Sequence, residues 1–402
     1  MTQIQPSTSR PRTDRWRRRA RRVAYVSVAC VLAATLVFLA LAGWDVRFAA
    51  RVLMHGQGDT QDYLWKDRSH VVEPSVYDAE QRRDCAADTA VQTAAFGETD
   101  LGTYLTESQA QSLVVLRDGV LVCEWYREGD SADTPWPVFS ISKSVTSLLL
   151  ARAVDDGHIS GMDESIGILV PELLERDSRF ADISFADLVD MRSGIGFTEE
   201  DTFPWVNQDG PSIYFATDLR AAVLERSTIV SSPGQFLYND YAPNLIGIAL
   251  ERAYGEDVAD GPFARLWNDL PAEGAAFWSV DDHGFAWHES GLVATPRDLA
   301  RLGQSLVEPN TAVSLEYADR TVPDHRLVAA TTLGDTSVGY RNGWWNLSNP
   351  EGGMDTMAMG NHGQFILVSP ESRTVIVRTG DDSPNQSNIQ IALDLQRLRE
   401  KF

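Results

Sequence analysis

Phe139-Ser140-Ile141-Ser142-Lys143-Ser144 opens a stretch in which the apolar spacing turns helical, with Val145, Leu148, Leu149 and Ala153 recurring at three and four residues until Asp155-Asp156-Gly157. Ser140 and Lys143 stand three apart at the predicted helix start, so their side chains share one face. A serine hydroxyl is a poor nucleophile until a base takes its proton. A lysine serves as that base only when neutral, a form favoured by desolvation or nearby positive charge. The helix amino terminus adds backbone N–H groups and the positive end of a dipole, which stabilise a developing anion. The plainer alternative is an ordinary helix start with Ser140 as its cap. The chain has three lysines, and Lys66 and Lys401 have Tyr63 and Leu398 at the offset where Lys143 has a serine.

Before this helix, Ser112-Leu-Val-Val-Leu116 and Val120-Leu-Val-Cys-Glu-Trp-Tyr126 flank Arg117-Asp118-Gly119, two β-rich runs around a tight turn that predict a hairpin. After it, between about 161 and 278, Pro171, Pro204, Pro211, Pro233 and Pro243 interrupt the chain repeatedly, which suits short helices and loops. Strand signals return over Thr336–Leu347, Met357–Val368 and Arg373–Thr379, and a last helix is expected over Asn388–Leu398. Strands near both ends with helices between imply one antiparallel sheet assembled from distant sequence, with the helical region inserted as a second lobe.

A second candidate element is Pro233-Gly-Gln-Phe-Leu-Tyr238-Asn239-Asp240, just before the run Leu245–Glu251. Tyr238 reads either as a core aromatic or as a phenol poised to move a proton between the serine and a leaving group. Glu199 and Glu200 suggest an exposed acidic loop more than a water-activating carboxylate. His283 and His288 lack partners at ligand spacing, so no metal is implied, and no phosphate-cradling glycine loop is present.

With these elements in order, the chain from about Ser112 to its end resembles the serine β-lactamase and penicillin-binding-protein superfamily, in its class C-like branch of esterases and 6-aminohexanoate-dimer hydrolases. Phe-Ser-Ile-Ser-Lys-Ser resembles the nucleophile box, and Tyr238-Asn239-Asp240 stands where the family carries Tyr-x-Asn. Ile183–Gly196, Gly291-Leu-Val-Ala-Thr-Pro-Arg-Asp-Leu-Ala-Arg301 and Gly339-Tyr-Arg-Asn-Gly-Trp-Trp345 are similar to further segments of the family, the last to the hydrolase branch in particular. The resemblance implies an α/β (α+β) fold of the β-lactamase/transpeptidase type: an antiparallel sheet flanked by helices with an inserted, mostly helical lobe.

The third box of the family, Lys-Thr-Gly or His-Thr-Gly on an edge strand, is replaced by Ala358-Met359-Gly360, followed by Asn361-His362-Gly363-Gln364. The missing cation normally helps bind the carboxylate of penicillins and peptide ends. The resemblance still implies an oxyanion hole, formed by the N–H of Ser140 and that of Asn361 just after Gly360; a register with Gly363 and Gln364 in those places is the alternative. His362 either touches substrate or makes a structural hydrogen bond. Asp240 replaces the Asn of Tyr-x-Asn; it orients Lys143 yet stabilises its protonated form, leaving open which group is the base.

At the amino end, Arg15, Arg17, Arg18, Arg19, Arg21 and Arg22 lead into the uncharged run Val23–Gly43. As a helix it spans about 30 Å, enough for a bilayer, and the arginines favour a cytoplasmic amino terminus. Ala40-Leu41-Ala42 has the small-x-small form of a signal-peptide cleavage site, so a retained anchor and a cleaved signal both export the rest. The net charge of -22 repels nucleic acid and excludes DNA or RNA as a partner. Export leaves Cys85 and Cys123 in an oxidising compartment, either bridged or as two isolated small apolar residues.

The expected organisation is a basic tail (1–22), an anchor or signal (23–43) and a hydrolase domain (57–402), whose α/β lobe covers about 57–150 and 290–402 and whose helical lobe covers 151–289. The expected function is cleavage of a small ester or amide through an acyl-enzyme on Ser140, with Lys143 and Tyr238 handling protons and no cofactor. A β-lactamase or D,D-peptidase acting on cell-wall peptides and a non-catalytic binding or sensor protein are the rivals. Trp205, Tyr214, Trp344 and Trp345 are candidates to line an apolar pocket.

Overall fold

Strand-forming runs from both ends of the chain meet in one sheet. The computed structural model describes residues 12–56, 58–74, 84–85, 99–198, 206, 208–310, 312–321, 331–333, 336–349 and 351–402; Glu199, Glu200 and Trp205 lie outside them. The chain starts with helices α1 (Arg12–Leu41) and α2 (Val46–His55) and the short strand β1 (Asp67–Arg68). Helix α3 (Leu101–Glu107) leads into the hairpin β2 (Ala110–Arg117) and β3 (Val120–Tyr126), and β4 (Trp136–Pro137) precedes α4 (Ile141–Asp155). Short helices follow up to α5 (Tyr241–Tyr254); then come β5 (Phe277–Val280), β6 (Leu292–Ala294) and α6 (Pro296–Val307). The carboxyl part holds β7 (Thr331–Leu333), β8 (Thr336–Arg341), β9 (Trp344–Ser348), β10 (Met354–Gly360), β11 (Gln364–Ser369), β12 (Thr374–Gly380) and α7 (Asn388–Arg399).

Eight strands form an antiparallel sheet in the order β3-β2-β12-β11-β10-β9-β8-β7. Side chains of a strand alternate between faces, and here each face has its own core. Leu113, Val115, Phe365, Leu367 and Ile376 point to one side, where Leu101 and Leu105 of α3 and Ile391, Leu395 and Leu398 of α7 cover them. Val114, Leu116, Ile366, Val368, Val375 and Val377 point to the other, under α4 and α6. The expected antiparallel sheet, flanked by helices and joined to a helical insert, is the fold observed. The insert packs through α5, whose buried face meets α4.

Two runs expected as continuous strands are broken. Thr336–Leu347 is a hairpin: Asn342 and Gly343 have φ of 53° and 82°, the paired left-handed geometry of a two-residue turn, as at Asp118-Gly119. Met357–Val368 folds back at Asn361–Gly363, a single turn between β10 and β11. A second sheet, β1-β5-β6-β4, has strands of two to four residues, too short to show a period in the sequence.

Among the described residues one helix, Arg19–Leu41, is long and apolar enough to cross a membrane, the character shared by an anchor and a signal sequence. Cys85 and Cys123 are bonded, tying the chain before α3 to β3. Removing both cysteines is expected to cost about 4 kcal/mol, from the loop entropy of a bridge of this span; urea unfolding of the Cys85→Ser/Cys123→Ser variant against the oxidised parent measures it, and equal midpoints would refute it.

Candidate active site

Helix α4 is buried on nearly all sides, and its hydroxyls fasten it to its surroundings. Ser144 Oγ donates to the Gly343 carbonyl at 2.6 Å and Ser147 Oγ to that of Asn342 at 2.8 Å, so the β8–β9 turn is locked onto the helix. Ser142 Oγ accepts from the Leu292 N–H at 3.0 Å, and Thr146 Oγ1 donates to the His288 carbonyl at 3.1 Å. A side chain on Gly343 would meet Ser147 Cβ at 2.9 Å, so this approach needs glycine. These bonds satisfy buried polar groups and leave the helix little freedom to shift.

Ser140 immediately precedes α4, and its side chain makes no capping bond. Phe139 before it has φ of 48°, a conformation unusual for a bulky residue and held by the packing around it. Lys143, one turn along, has three close acceptors. Its Nζ donates to Ser140 Oγ at 2.8 Å and to the Glu289 carbonyl at 3.1 Å, and it is ion-paired with Asp240 Oδ1 at 2.8 Å. Burial alone would lower the Lys143 pKa, but Asp240, followed by Tyr238 and Glu289, outweighs it and holds the ammonium well above the ordinary lysine value.

Asp240 is carried to this point by the start of α5. Asn239 Oδ1 accepts the Ala242 N–H at 2.9 Å, and Asn244 Nδ2 donates to the Asp240 carbonyl at 2.8 Å. Tyr238 arrives on the same segment. Its ring lies 4.9 Å from Lys143 Nζ, stacks on Trp345 at 5.6 Å and meets Tyr340 edge-on at 5.7 Å. The hydrogen bond reaching Ser140 Oγ comes from Lys143; the Tyr238 hydroxyl makes none with it.

The end of β10 closes the opposite side. Gly360 pairs with Gln364, and a Cβ on Gly360 would sit 2.2 Å from the Val138 carbonyl oxygen. Asn361 and His362 follow at the cavity wall, His362 at φ 59° with Nδ1 2.9 Å from Asp382 Oδ2 and its ring 4.8 Å from that of Phe139. The turn is braced from behind. Arg378, fully buried on β12, donates to the Gly363 carbonyl, and Gln364 Nε2 donates to the carbonyls of His362 at 2.9 Å and Gly380 at 2.7 Å. Among the described residues, neither the Ser140 nor the Asn361 amide is taken by a turn or loop carbonyl.

Ser140, Lys143, Asp240, Asn361 and His362 thus line one cavity of about 320 Å³. Glu289, Gly56, Gly58 and Tyr214 also line it, and of these only Tyr214 was a candidate from sequence. Glu289 is 2% exposed; its Oε1 accepts from Ser290 Oγ at 3.0 Å while its Oε2 has no hydrogen-bond partner among the described residues. Burial, then Asp240, raises its pKa well above the usual carboxylate range. Its place directly before the Gly291–Arg301 segment was the available signal. Trp344 is core, 1% exposed and donating to the Tyr317 hydroxyl at 3.1 Å, whereas Trp345 backs Tyr238. His288 is buried against Trp278 and Phe285, and burial lowers its pKa to about 3.

A serine beside a buried lysine at a helix mouth, facing the end of an antiparallel strand, is an arrangement that comparison with known proteins places. The β-lactamase family profile matches residues 106–393. The chain belongs to the β-lactamase family. Within it, the 6-aminohexanoate-dimer hydrolase of Paenarthrobacter ureafaciens is 27% identical over 304 residues, 69% of this chain and 74% of that protein. A putative 6-aminohexanoate-dimer hydrolase from Bacillus anthracis superposes with a TM-score of 0.72 at 20% identity, covering 85% of this chain and 94% of that one. A class C β-lactamase gives 0.53 at 15% identity, covering 74% and 92%. The family's sheet and helical lobe are those described above.

Because Gly360 sits against the Val138 carbonyl, Gly360→Ala is expected to lower stability by about 1–3 kcal/mol through overpacking and to displace Asn361, reducing turnover. Thermal unfolding together with ester hydrolysis checks this; a variant unchanged in both would show that the strand end does not set the cavity wall.

Proposed function

We propose that this β-lactamase-family hydrolase cleaves an ester or amide through an acyl-enzyme on Ser140. The observation that carries the reading is the contact of Lys143 Nζ with Ser140 Oγ and Asp240 Oδ1, each at 2.8 Å. As an ammonium Lys143 cannot accept the serine proton unless it gives one up. Asp240, on its other side, is placed to take it. Ser140 Oγ attacks the carbonyl while its proton passes to Lys143 and a Lys143 proton passes to Asp240, so the lysine stays charged and the proton ends on the carboxylate. The N–H groups of Ser140 and Asn361 hold the oxyanion. The proton held on Asp240 returns through Lys143 to Tyr238 as the Tyr238 hydroxyl hands its own proton to the leaving group, and water then releases the acid and restores the Ser140 hydroxyl.

The lining of the cavity favours neutral or cationic substrates over β-lactams. Asp240, Glu289 and Asp382 are carboxylates of the wall, and among the described lining residues the cations are Lys143, already paired, and His362 when protonated. No lysine or arginine stands where Ala358–Gly360 replaces the cationic third box. The apolar helix at the amino end supports retention at a membrane with the catalytic domain outside the cytoplasm.

Ser140→Ala is expected to abolish labelling by a fluorophosphonate and hydrolysis of p-nitrophenyl acetate; undiminished turnover would refute the nucleophile. For nitrocefin, kcat/KM is expected to lie about 10- to 100-fold below that for the ester, the worth of one charged hydrogen bond to a carboxylate. The opposite ranking would favour the β-lactamase reading.

Asp240→Asn removes the proton acceptor and is expected to lower kcat about 100-fold near neutrality. It also removes the largest charge that raises the Lys143 pKa. Free amine then forms at lower pH, so the variant regains activity on the alkaline side. An unaltered pH–rate profile would leave Asp240 a purely structural role.

A further inference from the structure

Helix α2 is apolar on two opposite faces. Phe48, Ala49 and Val52 point inward and share a cluster with Phe38, Leu39 and Ala42 at the end of α1 and with Val206, Tyr214 and Phe215 of the helical lobe. Val46, Leu53 and Met54, at helical spacing on the other side, are 66%, 70% and 71% exposed. Arg47 and Arg51 run along the flank between the two faces, paired with Asp282. A helix apolar on both faces needs cover on both.

The exposed apolar residues are concentrated here. Beyond α1, Trp44, Val46, Leu53, Met54 and Leu64 fall within one short segment, whereas among the described residues six other large exposed apolar side chains are scattered from Val120 to Ile389. The segment is continuous with the bilayer-length helix, and Trp44 follows that helix within a few residues, where a membrane interface favours tryptophan. Lipid is the occupant that this continuity selects.

The same segment also builds the cavity. Gly56 and Gly58, directly after α2, line it, as do Tyr214 and Phe215 from the shared cluster. With a rise of about 1.5 Å per residue, the exposed Leu53 and Met54 lie within one helical turn of the cavity wall.

From this geometry we infer that α2 lies in the lipid–water interface beside its anchor and that the cavity takes its acyl substrate from the bilayer surface, as an ester or amide of an uncharged or zwitterionic amphiphile. The inference rests on the serine-hydrolase reading above only for its substrate half. Placement at the surface comes from apolar burial, with the arginines already paired, so it does not depend on anionic lipid.

The test uses the full chain reconstituted in phosphatidylcholine vesicles. Cys85 and Cys123 are bonded and Cys30 is the free thiol, so Leu53→Cys in a Cys30→Ser background accepts a single spin label. The label is expected to be open to oxygen and closed to a water-soluble nickel chelate. In parallel, Leu53→Ser/Met54→Ser is expected to reduce hydrolysis of vesicle-dissolved p-nitrophenyl laurate about tenfold while leaving water-soluble p-nitrophenyl acetate within about twofold. A label open to nickel, a label shielded by dimer formation in lipid-free protein, or equal effects on both esters would overturn the inference. Absence of hydrolysis of both esters by the parent would sink the serine-hydrolase reading and the substrate half with it, and the label alone would then decide the surface placement.

Discussion

The buried ammonium of Lys143 is the constraint around which the site is organised. A charge this far from water is tolerated only when its donors are satisfied, and here Ser140, Asp240 and the Glu289 carbonyl supply the acceptors. Those three come from the mouth of α4, the start of α5 and the loop before β6. Satisfying one lysine therefore holds together three stretches of chain that are distant in sequence, and fixes Ser140 relative to all of them.

The rest of the fold makes that arrangement rigid. The central sheet has a full core on each face, so β10 and β12 have no freedom to slide, and the Asn361–Gly363 turn inherits their position through Arg378 and Gln364. Hydroxyls along α4 do the same for the helix by tying it to the β8–β9 turn. Asn361 and Ser140 are thus placed by the end of a strand and the start of a helix, which approach each other at the Gly360 contact with Val138. Pre-placed dipoles of this kind are effective because they need no reorganisation when charge develops.

Asp240 and Glu289 give this cavity its acidic character. One carboxylate is engaged with Lys143, and the other is buried with an oxygen left over, its pKa raised by burial and by Asp240. With the third box lacking a cation, the proposed preference against anionic substrates is an electrostatic one. The amino-terminal segment contributes the remaining side, so the part of the chain nearest the apolar helix also shapes what enters.

What the sequence by itself determined was local. A serine and a lysine three apart share a helix face by the geometry of the helix, Asp118-Gly119 closes a hairpin because both residues tolerate left-handed φ, and the alternation in β2, β11 and β12 assigns each side chain to a face. The Asn342-Gly343 turn is equally visible, yet the aromatic residues around it dominate the pattern and read as continuous strand. Tertiary structure alone decided the rest: that Glu289 and Gly56 reach the cavity, that Arg378 braces the turn behind Asn361, and that the Tyr238 ring stacks on Trp345 beside Lys143. These depend on contacts between residues far apart in the chain, and no spacing rule connects them, since the path between them runs through packed side chains and not along the backbone.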